Sequence, residues 1–307
     1  MTTRSPRYDL DAAAPQRWRI GLFEGAGAVP LTAEALNRLV GGIEYVPLDP
    51  GVTLNNASFD PCDYTTLNGE AVADNDECGI QWNAWGIALG EEISTLNGDD
   101  GRLEDVEARA RARMEAQTSY LGEYTFWSGN VGTTDFATLT WPNIALTDDT
   151  SAAANFTDLT PTDGEAGPVE AFGLINEYLS DTLRGLRGMI HVSPQTLPYL
   201  SNYRLAVRDG FVLGTTLGDH IIVAGSGYQG TGPGNEAQPN NRTWIYATSM
   251  VRVGASAIEV RSAYDRANNQ AKAIAFRTVL AEWDLVAHAG VRVCLTDPGP
   301  TCADAGS

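Results

Sequence analysis

Lysine is almost absent from this chain: nineteen arginines carry nearly all the positive charge, and Lys272 is the only lysine. The skew reads as a GC-rich coding source. Basic residues are missing altogether between Arg38 and Arg102, and again from after Arg113 to Arg184. Carboxylates are frequent in the first gap (Asp60, Asp63, Glu70, Asp74, Asp76, Glu77, Glu91, Glu92). With a net charge of −19 the chain repels phosphate backbones, which disfavours tight or sequence-specific nucleic-acid binding. No apolar run is long enough to span a bilayer, and the first twenty residues hold no apolar signal region, so the expectation is a soluble, non-secreted protein without a membrane partner. Cys62, Cys78, Cys294 and Cys302 lack CxxC or His-rich spacing, which argues against a zinc site. Cys62 and Cys78 can pair to close an acidic loop, but in a reducing cytosol free thiols are expected.

Catalytic constellations are equally scarce. Gly225-Ser226-Gly227-Tyr228-Gln229-Gly230 is a literal G-x-G-x-x-G after the apolar run His220 to Ala224. A dinucleotide fingerprint needs a helix to open there, and Thr231-Gly232-Pro233-Gly234-Asn235 cannot open one; a glycine-rich surface turn is the better reading. Ser226 lacks the flanking pattern of a nucleophile elbow. His191, His220 and His288 sit in separate apolar β-type runs and read as hydrogen-bonded core histidines. The carboxylate pairs Asp148-Asp149, Asp99-Asp100 and Glu91-Glu92 read as solvated loop groups rather than cation ligands. The three glycosylation sequons (Asn56, Asn155, Asn241) carry no weight without secretion. No catalytic, cofactor-binding or metal-ligating residue is therefore assigned, and no cofactor is expected.

What is present is a long helix. In Asp99 to Gly129, the residues Leu103, Val106, Ala110, Met114, Gln117, Leu121 and Tyr124 recur in steps of three and four, forming one narrow stripe. Asp99 and Asp100 suit its start, Trp127-Ser128-Gly129 its stop, and Asp105 to Arg109 and Glu107 to Arg111 are helical charge pairs. The predicted element is a strut.

Around the strut the chain reads in order. Residues 1–42 are a polar arm ending in a short helix candidate from Thr32 to Gly41-Gly42. Ile43 to Pro47 and Ile80 to Leu89 read as strands, joined by some thirty residues rich in Asp, Asn, Gly and Pro that must project outward. After the connection Val131 to Thr160, Pro168 to Leu186 is a second helix, with Val169, Phe172, Ile175, Tyr178, Leu179 and Leu183 on its buried face. A strand Met189 to Val192, a helix opened by Ser193-Pro194, strands through Phe211-Leu213 and His220-Ala224, and a strand Trp244 to Ala247 complete a small α/β unit. From Met250 the chain is β-rich, and the last residues read as disordered. The fold class is α+β.

This order resembles the major capsid protein of tailed bacteriophages with the Hong Kong 97-type fold. The phrases that carry the resemblance are EYVPLDPG, IQWNAWGIALG, the helix ending EYTFWSG, MIHVSPQTLPYL, LGDHIIVAGSGYQGTGP, TWIYATSMVRVGASAIEV and DRANNQAKAIAFRTVLAEWD, within about residues 40 to 296. The resemblance implies an N-terminal arm at 1–42 and an E-loop hairpin at 43–98. It implies an elongated P-domain from 99–167 and 250–297 with its spine helix at 102–127, a compact A-domain at 168–249, and a flexible tail at 298–307. It further implies a virion protein assembled in the bacterial cytoplasm into hexamers and pentamers of an icosahedral shell. Such a shell encloses double-stranded DNA without sequence-specific binding, and the partners implied are scaffolding and portal proteins and cement or decoration proteins. In the type member a lysine on the E-loop forms a covalent bond to an asparagine of a neighbour; residues 43–98 here contain no lysine, so that fastening is not expected. The readings left open are an encapsulin shell enclosing protein cargo, an α/β enzyme with 168–249 as its catalytic lobe, and a tail or portal-adjacent ring protein.

Overall fold

Good helix formers (Ala, Arg, Glu, Leu, Met) fill the chain from residue 103 onward, and the helix they form runs unbroken for 26 residues, Leu103–Ser128. The computed structural model describes residues 19–32, 43–45, 80–82, 85–94, 103–130, 143–149, 155–162, 164–209, 212–216, 220–239, 241–265 and 270–295. The expected helix after Thr32, the projecting loop, the Asp99-Asp100 cap and the C-terminal tail lie outside these residues. The helices are α1 (Leu22–Gly25), α2 (Leu103–Ser128), α3 (Pro168–Leu183) and α4 (Leu197–Asn202). Gly129 ends α2 with a positive φ of 68°, and its N–H bonds to Thr125 O at 2.8 Å, the usual geometry of a terminal glycine.

The first half of α2 lies on a sheet built around one long strand, β13 (Gln270–Glu282). One edge of β13 pairs with β4 (Trp85–Ser94) over ten residues in antiparallel register. Its other edge is shared end to end by β12 (Glu259–Asp265) and β11 (Arg252–Ala255), and β1 (Val29–Pro30) adds in parallel to β11. Alternation puts Ala271, Ala273, Ala275 and Val279 on the helix side, where they pack with Val106, Ala110 and Met114. Alanines under a helix let its backbone approach the sheet closely. Glu107 and Arg111, expected to pair along the helix, turn to the sheet instead. Glu107 accepts from the Ser262 hydroxyl, Arg111 donates to Ile258 O at 3.2 Å, and Arg113 donates to Gly90 O at 3.2 Å. The expected strand Ile80 to Leu89 divides in two: β3 (Ile80–Trp82) pairs with β2 (Ile43–Tyr45), while β4 belongs to the long sheet.

The second sheet has the order β5-β14-β10-β6-β9-β8-β7. Its strands are β5 (Thr157–Asp158), β6 (Gly188–Val192), β7 (Ala206–Asp209), β8 (Val212–Thr215), β9 (Ile221–Val223), β10 (Arg242–Ser249) and β14 (His288–Cys294). The residues of β14 follow the long strand in sequence, yet they pair with β10 along its length. Phe172, Ile175, Leu179 and Leu183 of α3 cover one face, against Ile190, Val192, Ile245, Ala247, Val291 and Val293. Val169, expected on that buried face, is 53% exposed, because the buried stripe runs through Pro168, Ala171, Phe172 and Ile175 and leaves Val169 on its flank. Glu165 pins the connection before α3: Arg242 Nε reaches its carboxylate at 2.7 Å and Arg292 holds the other oxygen. Cys294 is buried and disulfide-bonded, a departure from the expectation of free thiols; the other three cysteines lie outside the described residues.

Candidate functional site: the joint at the end of the long helix

The second half of α2 is more deeply buried than the first, with Tyr120 still exposed. Thr118, Gly122, Glu123, Thr125, Phe126, Trp127 and Ser128 are all buried, and the expected stripe positions Gln117, Leu121 and Tyr124 are only half so. Three hydroxyls are made tolerable there by bonding back one turn: Thr118 to Met114 O at 2.6 Å, Thr125 to Leu121 O at 2.9 Å, Ser128 to Tyr124 O at 2.8 Å. The helix end is wedged against the face of the second sheet that α3 leaves open. The Phe126 ring meets Trp283 edge-on at 5.2 Å and His191 at 5.6 Å, and Trp127 meets Tyr246 edge-on at 5.0 Å.

The glycine-rich segment after β9 is part of this joint, not the surface turn its composition suggests. Gly225, Gly227, Tyr228 and Gly230 are buried, and the loop from 225 to 236 runs along the last two turns of α2. Gly227 sits so close that a Cβ there would lie 2.2 Å from Tyr120 O. Further along, Thr231 Oγ1 accepts from Trp127 Nε1 at 2.9 Å, and Asn235 Nδ2 donates to Ser128 O at 2.7 Å. The loop thus caps Ser128 O, while Leu146 N and Thr147 N cap Phe126 O and Trp127 O at 3.1 Å each, a task any buried helix end imposes.

Glu123 is a fully buried carboxylate in this joint. Its Oε1 accepts from Leu22 N at 2.7 Å, and its Oε2 accepts from Ser226 Oγ at 2.9 Å and Gly227 N at 3.1 Å. Burial pushes the carboxyl above its usual range, while these donors pull it partly back. The signal in the sequence was its place in the otherwise uncharged run YLGEYTFW.

The histidines are core residues, in keeping with their apolar surroundings in sequence. Thr248 Oγ1 donates to Ser249 O at 2.7 Å, so it accepts from His191 Nε2 at 2.8 Å, and His191 Nδ1 accepts from the Tyr228 hydroxyl at 3.0 Å. Burial holds the neutral ring by lowering the His191 pKa to about 3. His288 Nε2 bonds Leu146 O at 3.1 Å, and His220 Nδ1 accepts from Gly188 N at 3.1 Å. The three rings are used in different bonding networks and converge on no reaction centre. Among the described residues no three His, Cys, Asp or Glu side chains gather as a metal site. A cleft of about 320 Å³ lies between α1, α2 and the long sheet, with Glu24, Glu115 and Arg277 on its walls.

On the face of the long sheet turned away from α2, Leu31 packs over Gly254 and Leu280 is buried at one end, while the middle is open. Ile274 is 53% exposed at its centre, flanked across the strands by Gly90 and Arg261. The Arg261 guanidinium stands 5.1 Å over the ring of the half-buried Phe276.

No family model matches the chain, and no curated protein matches it. Solved structures do. One from Mycobacterium phage Che8 is 13% identical, with 94% of this chain and 96% of that chain covered and a TM-score of 0.49. The mature capsid of bacteriophage PhiM1 is 12% identical over 97% of this chain and 93% of that chain, with a TM-score of 0.47. The holo-SrpI encapsulin complex from Synechococcus elongatus PCC 7942 is 11% identical over 94% of this chain and 93% of that chain, with a TM-score of 0.46.

Proposed function

We propose that this chain is a major capsid protein of the tailed-phage, Hong Kong 97 type: a structural subunit that forms hexamers and pentamers of an icosahedral shell enclosing double-stranded DNA. The observation that carries the reading is the long sheet. A 13-residue strand and its ten-residue partner are stiffened on one face by α2, while Ile274 at the middle of the other face is 53% exposed beside the half-buried Phe276. A subunit built to be completed by copies of itself needs such a stiff element with an open face, and burying that face contributes roughly 25 cal/mol per Å² of apolar area. In this reading 1–42 is the arm, 43–98 the E-loop, 99–167 and 250–297 the P-domain with α2 as its spine, 168–249 the A-domain and 298–307 the tail. The joint around Glu123 keeps spine and A-domain as one body. The acidic chain contributes no counterion-release attraction for its contents, so packaged DNA stays mobile. With no lysine in 43–98, the shell is fastened by non-covalent contacts, a Cys62-linked bridge or a cement protein.

The test is the content of particles. The full chain is expressed with its neighbouring scaffold and portal genes, particles are purified after nuclease treatment, and their contents are extracted. Closed shells protecting double-stranded DNA are expected. Shells holding only a co-purifying protein would replace this reading with the encapsulin one, and turnover of a small molecule by a monomer, lost in His191→Ala, would replace it with an enzyme.

A further inference from the structure

Residues 20–31 cross the joint as a strap. At one end Ile20 O accepts from Ala224 N at 2.8 Å, just beyond β9; at the other, β1 pairs with β11 and Leu31 N donates to Ala255 O at 2.9 Å. Between these ends the strap meets the spine at two places. Leu22 N donates to Glu123, and the Phe23 ring lies where a Cβ on Gly122 would be 2.7 Å away.

We propose that Glu123 is a releasable latch: neutralising its carboxylate frees the strap from the spine while leaving the glycine turn in place. The two oxygens divide the work, Oε1 serving the strap through one donor and Oε2 serving the turn through two. A carboxylate accepts on both oxygens, whereas a neutral acid or amide keeps one full acceptor and turns a donor outward at the other position. The turn, with more donors, retains the acceptor, so Leu22 N–H is left facing a donor. Gly21 fixes the geometry at its tightest point, since a Cβ there would lie 2.1 Å from Oε1.

Among the described residues no Arg or Lys pairs with this carboxylate, so neutralising it breaks no ion pair, and burial already favours the neutral form. The charged and titratable groups on the elements around it are Arg19 and Glu24 on the strap, Tyr120 and Tyr124 on the spine, and Tyr228 on the turn. The Tyr228 phenol is pushed up by its own burial and by the Glu123 charge, so it stays neutral while the latch titrates. Released from Oε1, the strap keeps its end bonds, one on each sheet, and the packing of Leu22 and Phe23 in the core, so the loosening is confined to the strap itself.

Hydrogen exchange of the full-length chain tests this. In Glu123→Gln, exchange over 20–26 should rise on the order of ten- to a hundredfold while 225–230 stays at wild-type rates. Gly21→Ala, whose Cβ would stand 2.1 Å from Oε1 and so forces the strap and that oxygen apart while leaving the carboxylate ionised, should give the same pattern. Wild type brought from neutral to mildly acidic pH, corrected for intrinsic exchange, should move toward it. An equal rise in both segments, or an unchanged strap in Gly21→Ala, would overturn the latch.

Discussion

The two halves of the long helix α2 make opposite demands on sequence. From Val106 to Met114 one face meets a sheet of alanines and the rest meets solvent, so three buried side chains every fourth residue suffice. From Thr118 to Ser128 the helix has sheet, strap and glycine loop around it, and seven of the eleven residues are buried, with Tyr120 the exposed one. The first half is a surface element that adheres to a platform; the second is a core element around which two sheets are joined. Stability should therefore be concentrated at the C-terminal end of a single continuous helix.

Trp127→Ala should cost the most, about 3–5 kcal/mol by urea unfolding of the unassembled subunit, because it empties the contact with Tyr246 and Tyr228 and removes the bond to Thr231. A cost below that of Met114→Ala would break the comparison. Acid sharpens it from another side. The unfolded chain takes up a proton on His191 below about 6.5, but the native chain holds it neutral until about 3, so stability should fall as pH drops between those values. The urea midpoint of His191→Gln should fall less steeply over that range; identical slopes would show that His191 does not bear on the joint. Met114→Ala should cost about 2–3 kcal/mol, the sheet side being free to settle onto the smaller residue. Arg109→Ala, on the exposed flank of the first half, should change stability by no more than about 0.5 kcal/mol.

That asymmetry also explains what could be read in the sequence. The spine was legible almost to its last residue, and so were Val106, Ala110 and Met114, because a flat sheet beneath a helix imposes the simple period of 3.6. The same stripe continued to Gln117, Leu121 and Tyr124 and lost its meaning there. Once a helix is enclosed, periodicity no longer marks the buried side. The strand at Ile80 to Leu89 was legible as extended chain, but its division between β3 and β4 depends on partners distant in sequence. The four-residue α1 is too short for any period. The glycine turn was misread as surface because glycines signal close approach without saying whether the neighbour is solvent, ligand or, as here, the helix backbone at Tyr120 and Tyr124. Glu123 was the overlooked residue, a lone carboxylate in an aromatic run whose partners lie about a hundred residues away on either side.

The most direct test of the account is assembly of the full chain alongside Ile274→Arg, followed by sedimentation and electron microscopy. The account predicts closed shells tens of nanometres across for wild type. For the variant it predicts a folded subunit of unchanged melting temperature that no longer closes shells, because Ile274 lies on the open face and outside the joint. A wild-type chain that stays a monodisperse monomer under every assembly condition, or a variant that builds normal shells, would contradict it.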